Sequence, residues 1–432
     1  MRSISLLSFS LILFLSASKL RAQNKDTLRV MCYNLLYYNA NTSFCNQTNN
    51  NVNTKEAALE DIIDDVLPDV LVVNEIGTDP NSAFYLSRDA LNKNGRNYYN
   101  FANNSGAGQT IANMLFYNRQ KLRLESQRVI DKDLNGGNLV RDIDIYTLRY
   151  KDTSLYIHGD TTRLHIIVTH LKAGNTTSDR ADRGDAIKAV MADLDSMNAT
   201  GNYIIAGDMN LYRSTEAAYQ ELVNYVDTSL RFIDPISMTG NWNANRFAQN
   251  HTQSTRTSGG CSANGGLDDR FDLILYSDEI KDNTDNLKYI RNSYKAYGQD
   301  GLRYNSSINS PRNNLVGNAI ANALRDVSDH LPVILDLEVT LPQTTALDEY
   351  SAMKEVRFTN PIQAQFFIDL GQNKGEIEGI EIMDIQGRTI ERIDVNSALR
   401  IRKDLGQLSK GTYLLKFRTK SYQQFVEKLI KI

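Results

Sequence analysis

The 432 residues are 41% hydrophobic and 23% charged, an ordinary globular composition with material for two or more domains. The formal charge of −3 becomes −6 without Arg2, Lys19 and Arg21, and the last 92 residues, with 14 basic and 12 acidic side chains, leave −8 on residues 23–340. That balance excludes the broad basic surface on which non-specific nucleic-acid affinity depends, although a local patch or a bound divalent metal can offset it.

Residues 1–22 carry basic Arg2, an apolar run from Ile4 to Ala17 and the small Ala22, which reads as a secretory signal peptide. The run is short for a membrane span and no second apolar stretch of about 20 residues follows, so a soluble exported product is expected. Leu28 to Tyr33 reads as a buried strand that ends at Asn34, with Cys32 packed inside it. Asn39 to Asn53 is too polar to be buried and reads as a loop. Asn53-Thr54-Lys55-Glu56 then opens an amphipathic helix that runs to Val66, before Leu67-Pro68. A second strand, Val70 to Val73, delivers Asn74 and Glu75, and a third, Leu164 to Thr169, delivers His170. Asp185 to Met197 reads as a helix with Ile187, Val190, Met191 and Leu194 on one face.

Tyr203 to Tyr212 is an apolar run that stops at Gly207, Asp208 and Asn210. Gln249 to Gly266 is a second polar loop, with His251 expected to be solvated; His158 and His165 carry no partner signal. Phe271 to Tyr276 contains Asp272, and Ser328-Asp329-His330 introduces a strand from Leu331 to Leu337. Three cysteines give neither a disulfide-dense scaffold nor a zinc-cluster spacing. Cys45 and Cys261 lie in the two polar loops and could pair in an exported protein, a point the sequence leaves open. Strands and helices alternate over residues 28–340, which predicts a layered α/β domain with bounds at 23–340. Residues 341–354 read as a linker. Short strands with turn glycines over 355–432 (Phe366 to Leu370, Ile377 to Asp384, Thr389 to Ile393, Thr412 to Arg418, Gln423 to Ile432) predict a small all-β module.

Any one of these strand ends has a plain explanation. An Asp-x-Asn pair favours a turn, and a histidine after a strand is usually structural. Their recurrence at six strand ends points instead to a site held by a rigid sheet. Glu75, Asp208, Asp272 and Asp329 supply carboxylates, Asn34 and Asn210 neutral oxygens, and His170 and His330 imidazoles. Such an oxygen-rich set suits Mg²⁺, Mn²⁺ or Ca²⁺ better than zinc. With two imidazoles for proton transfer, the set describes metal-dependent phosphoester hydrolysis.

The order Asn34, Glu75 in Val-Val-Asn-Glu-Ile, His170 in Val-Thr-His-Leu-Lys-Ala, Gly207-Asp208-Met209-Asn210, Arg270-Phe271-Asp272 and Ser328-Asp329-His330 resembles the endonuclease/exonuclease/phosphatase superfamily, the fold of pancreatic deoxyribonuclease. The resemblance covers about residues 28–338. It implies a four-layer α/β/β/α sandwich with the site at one rim. It makes Glu75 the principal Mg²⁺ ligand, assisted by Asn34, with Asp329 at a second metal or an outer contact. Asp208 and Asn210 would position water and phosphate, and His170 would bind the phosphate or protonate the leaving group. His330, oriented by Asp272, would be a base or a phosphate-stabilising cation. An acidic partner for His170 is not found between Gln109 and Asn118. Relatives of this fold cleave DNA, RNA, sphingomyelin and inositol phosphates. The first expectation is a secreted nuclease or phosphodiesterase; a phosphatase, a phospholipid phosphodiesterase and a non-catalytic surface binding protein are the alternatives.

Asn360-Pro361, Phe366-Phe367-Ile368, Ile385-Gln386-Gly387-Arg388, Leu408 to Tyr413 and Lys428 resemble the C-terminal sorting domain of type IX secretion substrates in Bacteroidetes. That implies Sec export followed by outer-membrane passage through the type IX machinery, to the cell surface or beyond it.

Overall fold

A computed structural model describes residues 25–342, except 104–105, 107–108, 153–154, 156–160 and 262, and residues 356–432, except 372–376, 396–397 and 420–423. The expected leader, His158 and nearly all of the expected linker lie outside the described residues.

The first of two large sheets contains β1 (Lys25–Tyr38), β2 (Val70–Gly77), β3 (Tyr99–Phe101), β4 (Ile111–Asn118), β11 (Leu287–Tyr289), β12 (Lys295–Ala296) and β13 (Val333–Thr340). Its order is β11-β13-β1-β2-β4-β3, with β12 beside β13. The second contains β5 (Leu122–Lys132), β6 (Asn138–Tyr150), β7 (Arg163–His170), β8 (Asn202–Asp208), β9 (Phe232–Ile233) and β10 (Asp272–Ser277), in the order β5-β6-β7-β8-β10-β9. The central strands are buried on both faces, and period two sends alternate side chains to each. On β8, Ile204 and Ala206 join the core that also holds Val30 and Val72 of the first sheet, while Ile205 packs outward with Ile187, Val190 and Leu194. The outward partners belong to α2 (Thr177–Ser196), beside α3 (Ala217–Val223). On the far side, α1 (Val52–Val66) and α4 (Gly317–Val327) cover the first sheet, with Leu59, Ile63 and Leu324 in its core. Helix, sheet, sheet and helix make four layers, as the resemblance implied.

The helix α1 begins where its cap does: the Asn51 side chain accepts the Thr54 N–H, and Leu67 closes it in the left-handed conformation before Pro68. The expected Asp185 start for the second helix is corrected to Thr177. Thr176 and Asp179 form a capping box there, and the polar turn that follows hid the helix from its apolar face.

The loop Gln249 to Gly266 also departs from expectation. His251, Thr252, Ser254 and Thr255 are buried, not solvated. Two of the contacts that answer them are to backbone carbonyls: His251 Nε2 lies 2.7 Å from the Trp242 carbonyl, and Thr255 Oγ1 donates to Ser328 O at 2.6 Å. Uncharged polar side chains enter a core when backbone groups answer them. Cys45 and Cys261 form a disulfide that ties this loop to the Asn39–Asn53 loop, and Cys32 is free and buried.

In the tail, β14 (Arg357–Phe358), β15 (Gln365–Asp369) and β18 (Arg400–Asp404) form one sheet; β16 (Ile377–Met383), β17 (Thr389–Asp394), β19 (Gly411–Thr419) and β20 (Gln424–Lys431) form another. Phe366, Ile368, Ile382, Leu415 and Phe417 fill the core between them. The strand Arg400–Asp404 has no counterpart in the sequence reading, because four of its five residues are charged and only pairing with β15 fixes it. No helix among the described residues is long and apolar enough to cross a membrane.

Candidate active site

The ends of six strands meet at one rim of the sandwich. In the second sheet β7 and β8 run parallel with His170 opposite Asp208, and β10 runs antiparallel with Asp272 opposite the same Asp208. The three side chains therefore stand in one row on the face toward the first sheet. Gly207 makes the approach possible: its φ is +151°, and a Cβ there would collide with the Thr169 carbonyl. In the first sheet β1 and β2 are parallel with Asn34 opposite Asn74. Asn74 crosses the gap, accepting the Asp208 N–H at 2.9 Å and donating to Thr169 O at 3.0 Å and to Asn113 Oδ1 at 2.8 Å.

Strict alternation would turn Glu75 away from this face. Its φ of +60° breaks the alternation, and the carboxylate swings into the site at a register shift between Val73 and Ile76. There Asn34 Nδ2 reaches Glu75 Oε1 at 3.1 Å and Asp208 Oδ2 at 3.0 Å, and the Tyr37 N–H donates to Glu75 Oε2 at 3.2 Å. His170 Nε2 lies 3.7 Å from Glu75 and 3.5 Å from Asp208. His330 Nδ1 is 2.7 Å from Asp272 Oδ2, and its Nε2 is 3.6 Å from Asp208 and 2.7 Å from the Gln253 amide. Asn210 sits one step away, its N–H on Asp208 Oδ1 at 3.1 Å and its amide on Leu171 O. Asp329 stands aside, its Oδ2 held by Gln253 Nε2 at 3.1 Å and by the Ala263 N–H at 3.0 Å. All eight residues singled out in the sequence thus gather here, and all are buried.

Burial sets their charge states. Desolvation raises Glu75, with Asp329 adding to it. It pushes Asp208 up to about 7, with Asp272 and Glu75 adding and His330 opposing. His170 is held well below an ordinary histidine by burial, then by Arg141 and His330, and is neutral. For His330 burial opposes the charge, but Asp272, Asp208 and Asp329 outweigh it and raise the ring well above an ordinary histidine.

Among the described residues two clusters have the reach of a metal site: Glu75, His170 and Asp208, and Asp208, Asp272 and His330. The donor set fits a hard divalent cation. Glu75 and Asp208 converge on one amide, and Asp272 Oδ1 and Asp329 Oδ1 are buried without a hydrogen-bond partner.

Several participants carried no recognised role in the sequence. Asn74 was visible as a strand-end residue, and the β1–β2 register sets it opposite Asn34. Arg141, which donates to Leu171 O at 2.6 Å, is a cation facing the carboxylates. Gln253 comes from the polar loop, where nothing distinguished it. Asp144, on β6 and outside the Gln109–Asn118 segment, shares a small cavity with His170, Arg141 and Asn113.

The sequence profile described as Endonuclease/Exonuclease/phosphatase family matches residues 36–330, and that of the Secretion system C-terminal sorting domain matches residues 358–432. No curated protein matches the chain. Similar solved structures include the human nocturnin catalytic domain with bound sulfate, 15% identical, spanning 74% of this chain and 98% of that one at a TM-score of 0.45. A Bacteroides thetaiotaomicron endonuclease/exonuclease/phosphatase family protein is 14% identical over 75% and 99%, at 0.46. D. rerio TDP2 complexed with single-strand DNA product is 13% identical over 72% and 98%, at 0.45.

Proposed function

Because the chain belongs to the endonuclease/exonuclease/phosphatase family and ends in a type IX sorting domain, we propose that it is an exported, divalent-metal-dependent phosphodiesterase, in first place an extracellular nuclease. Residues 23–340 form the catalytic part in this reading, 341–354 the linker and 355–432 the sorting domain, with delivery to the cell surface or the medium.

One arrangement carries the proposal: a carboxylate-held imidazolium, His330 on Asp272, faces the carboxylates of Glu75 and Asp208 across a rim where Asn34 joins them. Glu75, assisted by Asn34, would hold Mg²⁺, or Mn²⁺ or Ca²⁺ in its place, with Asp329 at a second cation or an outer contact. When bound, the cation offsets phosphoryl charge and polarises a phosphate oxygen. Asp208 titrates near neutrality and is fixed by the Asn74 contact to its N–H, so it is suited to take a proton from the attacking water, with Asn210 orienting the water or the phosphate. His330, locked as a cation, answers the negative charge that grows on the phosphate. Neutral His170 donates its N–H to the phosphate or to the leaving oxygen.

The test is a panel of plasmid DNA, single-stranded DNA, RNA, sphingomyelin, inositol phosphates and a chromogenic diester, with and without Mg²⁺ or EDTA. Metal-dependent cleavage of nucleic acid, lost in Glu75→Ala and His330→Ala with circular dichroism unchanged, is the expected result. Wild-type turnover in either variant refutes the site, and cleavage of lipid or inositol substrates alone refutes the nuclease assignment.

A further inference from the structure

Lys55 is the strongest feature that this mechanism leaves unused. It lies on the first turn of α1, is 3% exposed, and has no carboxylate at salt-bridge distance among the described residues. Its Nζ instead donates to three backbone carbonyls: Leu35 O at 2.7 Å, Leu36 O at 2.8 Å and Val327 O at 2.6 Å. An ammonium group has three N–H donors and no acceptor, so this cage answers it in full.

The three carbonyls belong to two segments that both carry site residues. Leu35 and Leu36 follow Asn34, where the chain leaves the β1 register; Leu36 and Tyr37 have φ of +44° and +52°. A side chain with a Cβ resists that conformation by about 1–2 kcal/mol per residue, so the bulge needs outside support. Its function is visible in its N–H groups: Leu36 N–H donates to Asn34 Oδ1 at 2.9 Å, and Tyr37 N–H donates to Glu75 Oε2. Val327 ends α4 and leads into Ser328, whose Oγ accepts the His330 N–H at 3.1 Å, and into Asp329.

We propose that Lys55 is a positioning residue, a hydrogen-bonding clamp that ties the strained Leu35–Tyr37 bulge to the Val327–His330 segment and so sets the distance between the Glu75–Asn34 and Asp329–His330 halves of the site. It acts through the backbone and touches no substrate. The inference rests on the metal-site reading above, because its consequence is the spacing of the groups that would hold the cation.

Lys121 provides the control. Its Nζ binds Thr27 O, Asp26 and Asp69 at the opposite end of β1, far along the strand from the site. Full-length mature wild type, Lys55→Met and Lys121→Met are titrated with Mn²⁺ alone, read by electron paramagnetic resonance, and assayed for diester cleavage; unfolding midpoints are recorded. Both variants are expected to lose stability. Only Lys55→Met is expected to need about tenfold or more Mn²⁺ for half-saturation, with kcat lowered and KM changed little. If Lys55→Met does not fold, Lys55→Arg decides: a planar guanidinium cannot aim three donors at three converging carbonyls, so its Mn²⁺ affinity should still fall several-fold. Wild-type Mn²⁺ affinity in a folded Lys55 variant, or an equal loss in Lys121→Met, overturns the clamp while leaving the functional reading intact. No Mn²⁺ uptake by the wild type overturns both.

Discussion

Asn74→Ala should cost both stability and rate, because this one amide joins the two sheets behind the site. Its Oδ1 takes the Asp208 N–H, and its Nδ2 supplies Asn113 Oδ1 and Thr169 O, all buried. Each of the three bonds is worth about 1 kcal/mol net, and the Asp208 N–H left alone in the core costs about 1–3 kcal/mol more, so roughly 4–6 kcal/mol should be lost. Urea unfolding gives the number directly. The chain has one tryptophan, Trp242, buried in the catalytic layers, so its fluorescence reports this domain and not the tail. Freed from Asn74, Asp208 loses its fixed backbone, and cleavage should fall about tenfold or more. Asn74→Asp is the sharper variant: it keeps an acceptor for the Asp208 N–H but loses both donors and adds a carboxylate to an acidic site. A change below about 1 kcal/mol in Asn74→Ala, with wild-type turnover, would show that the sheets do not depend on this link.

Two further outcomes follow from the charge states. Asp208 and Glu75 have folded pKa values above their ordinary ones, so their contribution to stability is present below the ordinary 3.8 and 4.5 and is lost as the pH rises, for Asp208 through about 7. The metal-free chain should therefore weaken between about pH 4 and 7, and Mg²⁺ should raise the melting temperature more at pH 8 than at pH 5; equal shifts at both would count against a cation on these carboxylates. Asp272→Asn removes the nearest charge that keeps His330 protonated, leaving burial to pull the ring down. Its rate should drop about a hundredfold, with the alkaline decline of the pH–rate profile moved to lower pH; an unmoved profile would mean that His330 does not act as a cation.

The residues legible in the sequence share one property: they end a buried strand. Period two sends every second side chain to the same face, so an apolar run that stops in a polar residue announces both a strand end and a direction. His170, Asp208 and Asp272 form their row for that reason alone. The parts that were not legible reach the site by other means. Gln253 comes from a loop whose polar composition read as solvent exposure, although its neighbours are buried against matched backbone groups. Arg141 lies on a strand between Val140 and Asp142, with no local pattern to set it apart. Lys55 sits in a helix start where lysine is commonplace, and three distant carbonyls make it unusual.

Glu75 is a strand-end residue whose direction period two alone would misassign. By alternation it belongs with Leu71 and Val73, on the face away from Asn74, and a reader counting by twos would discard it. The left-handed backbone at Glu75 reverses that assignment, at a cost that an L residue accepts only when its surroundings fix it. Here the fixing groups are identifiable: the Asn34 amide, the Tyr37 N–H, and behind Tyr37 a bulge whose own left-handed residues are held by Asn50 and Lys55. The strain at the acid and the strain in the bulge are thus one structure, each oriented by the other. A substitution that relaxes either should move the carboxylate before it unfolds the sheet.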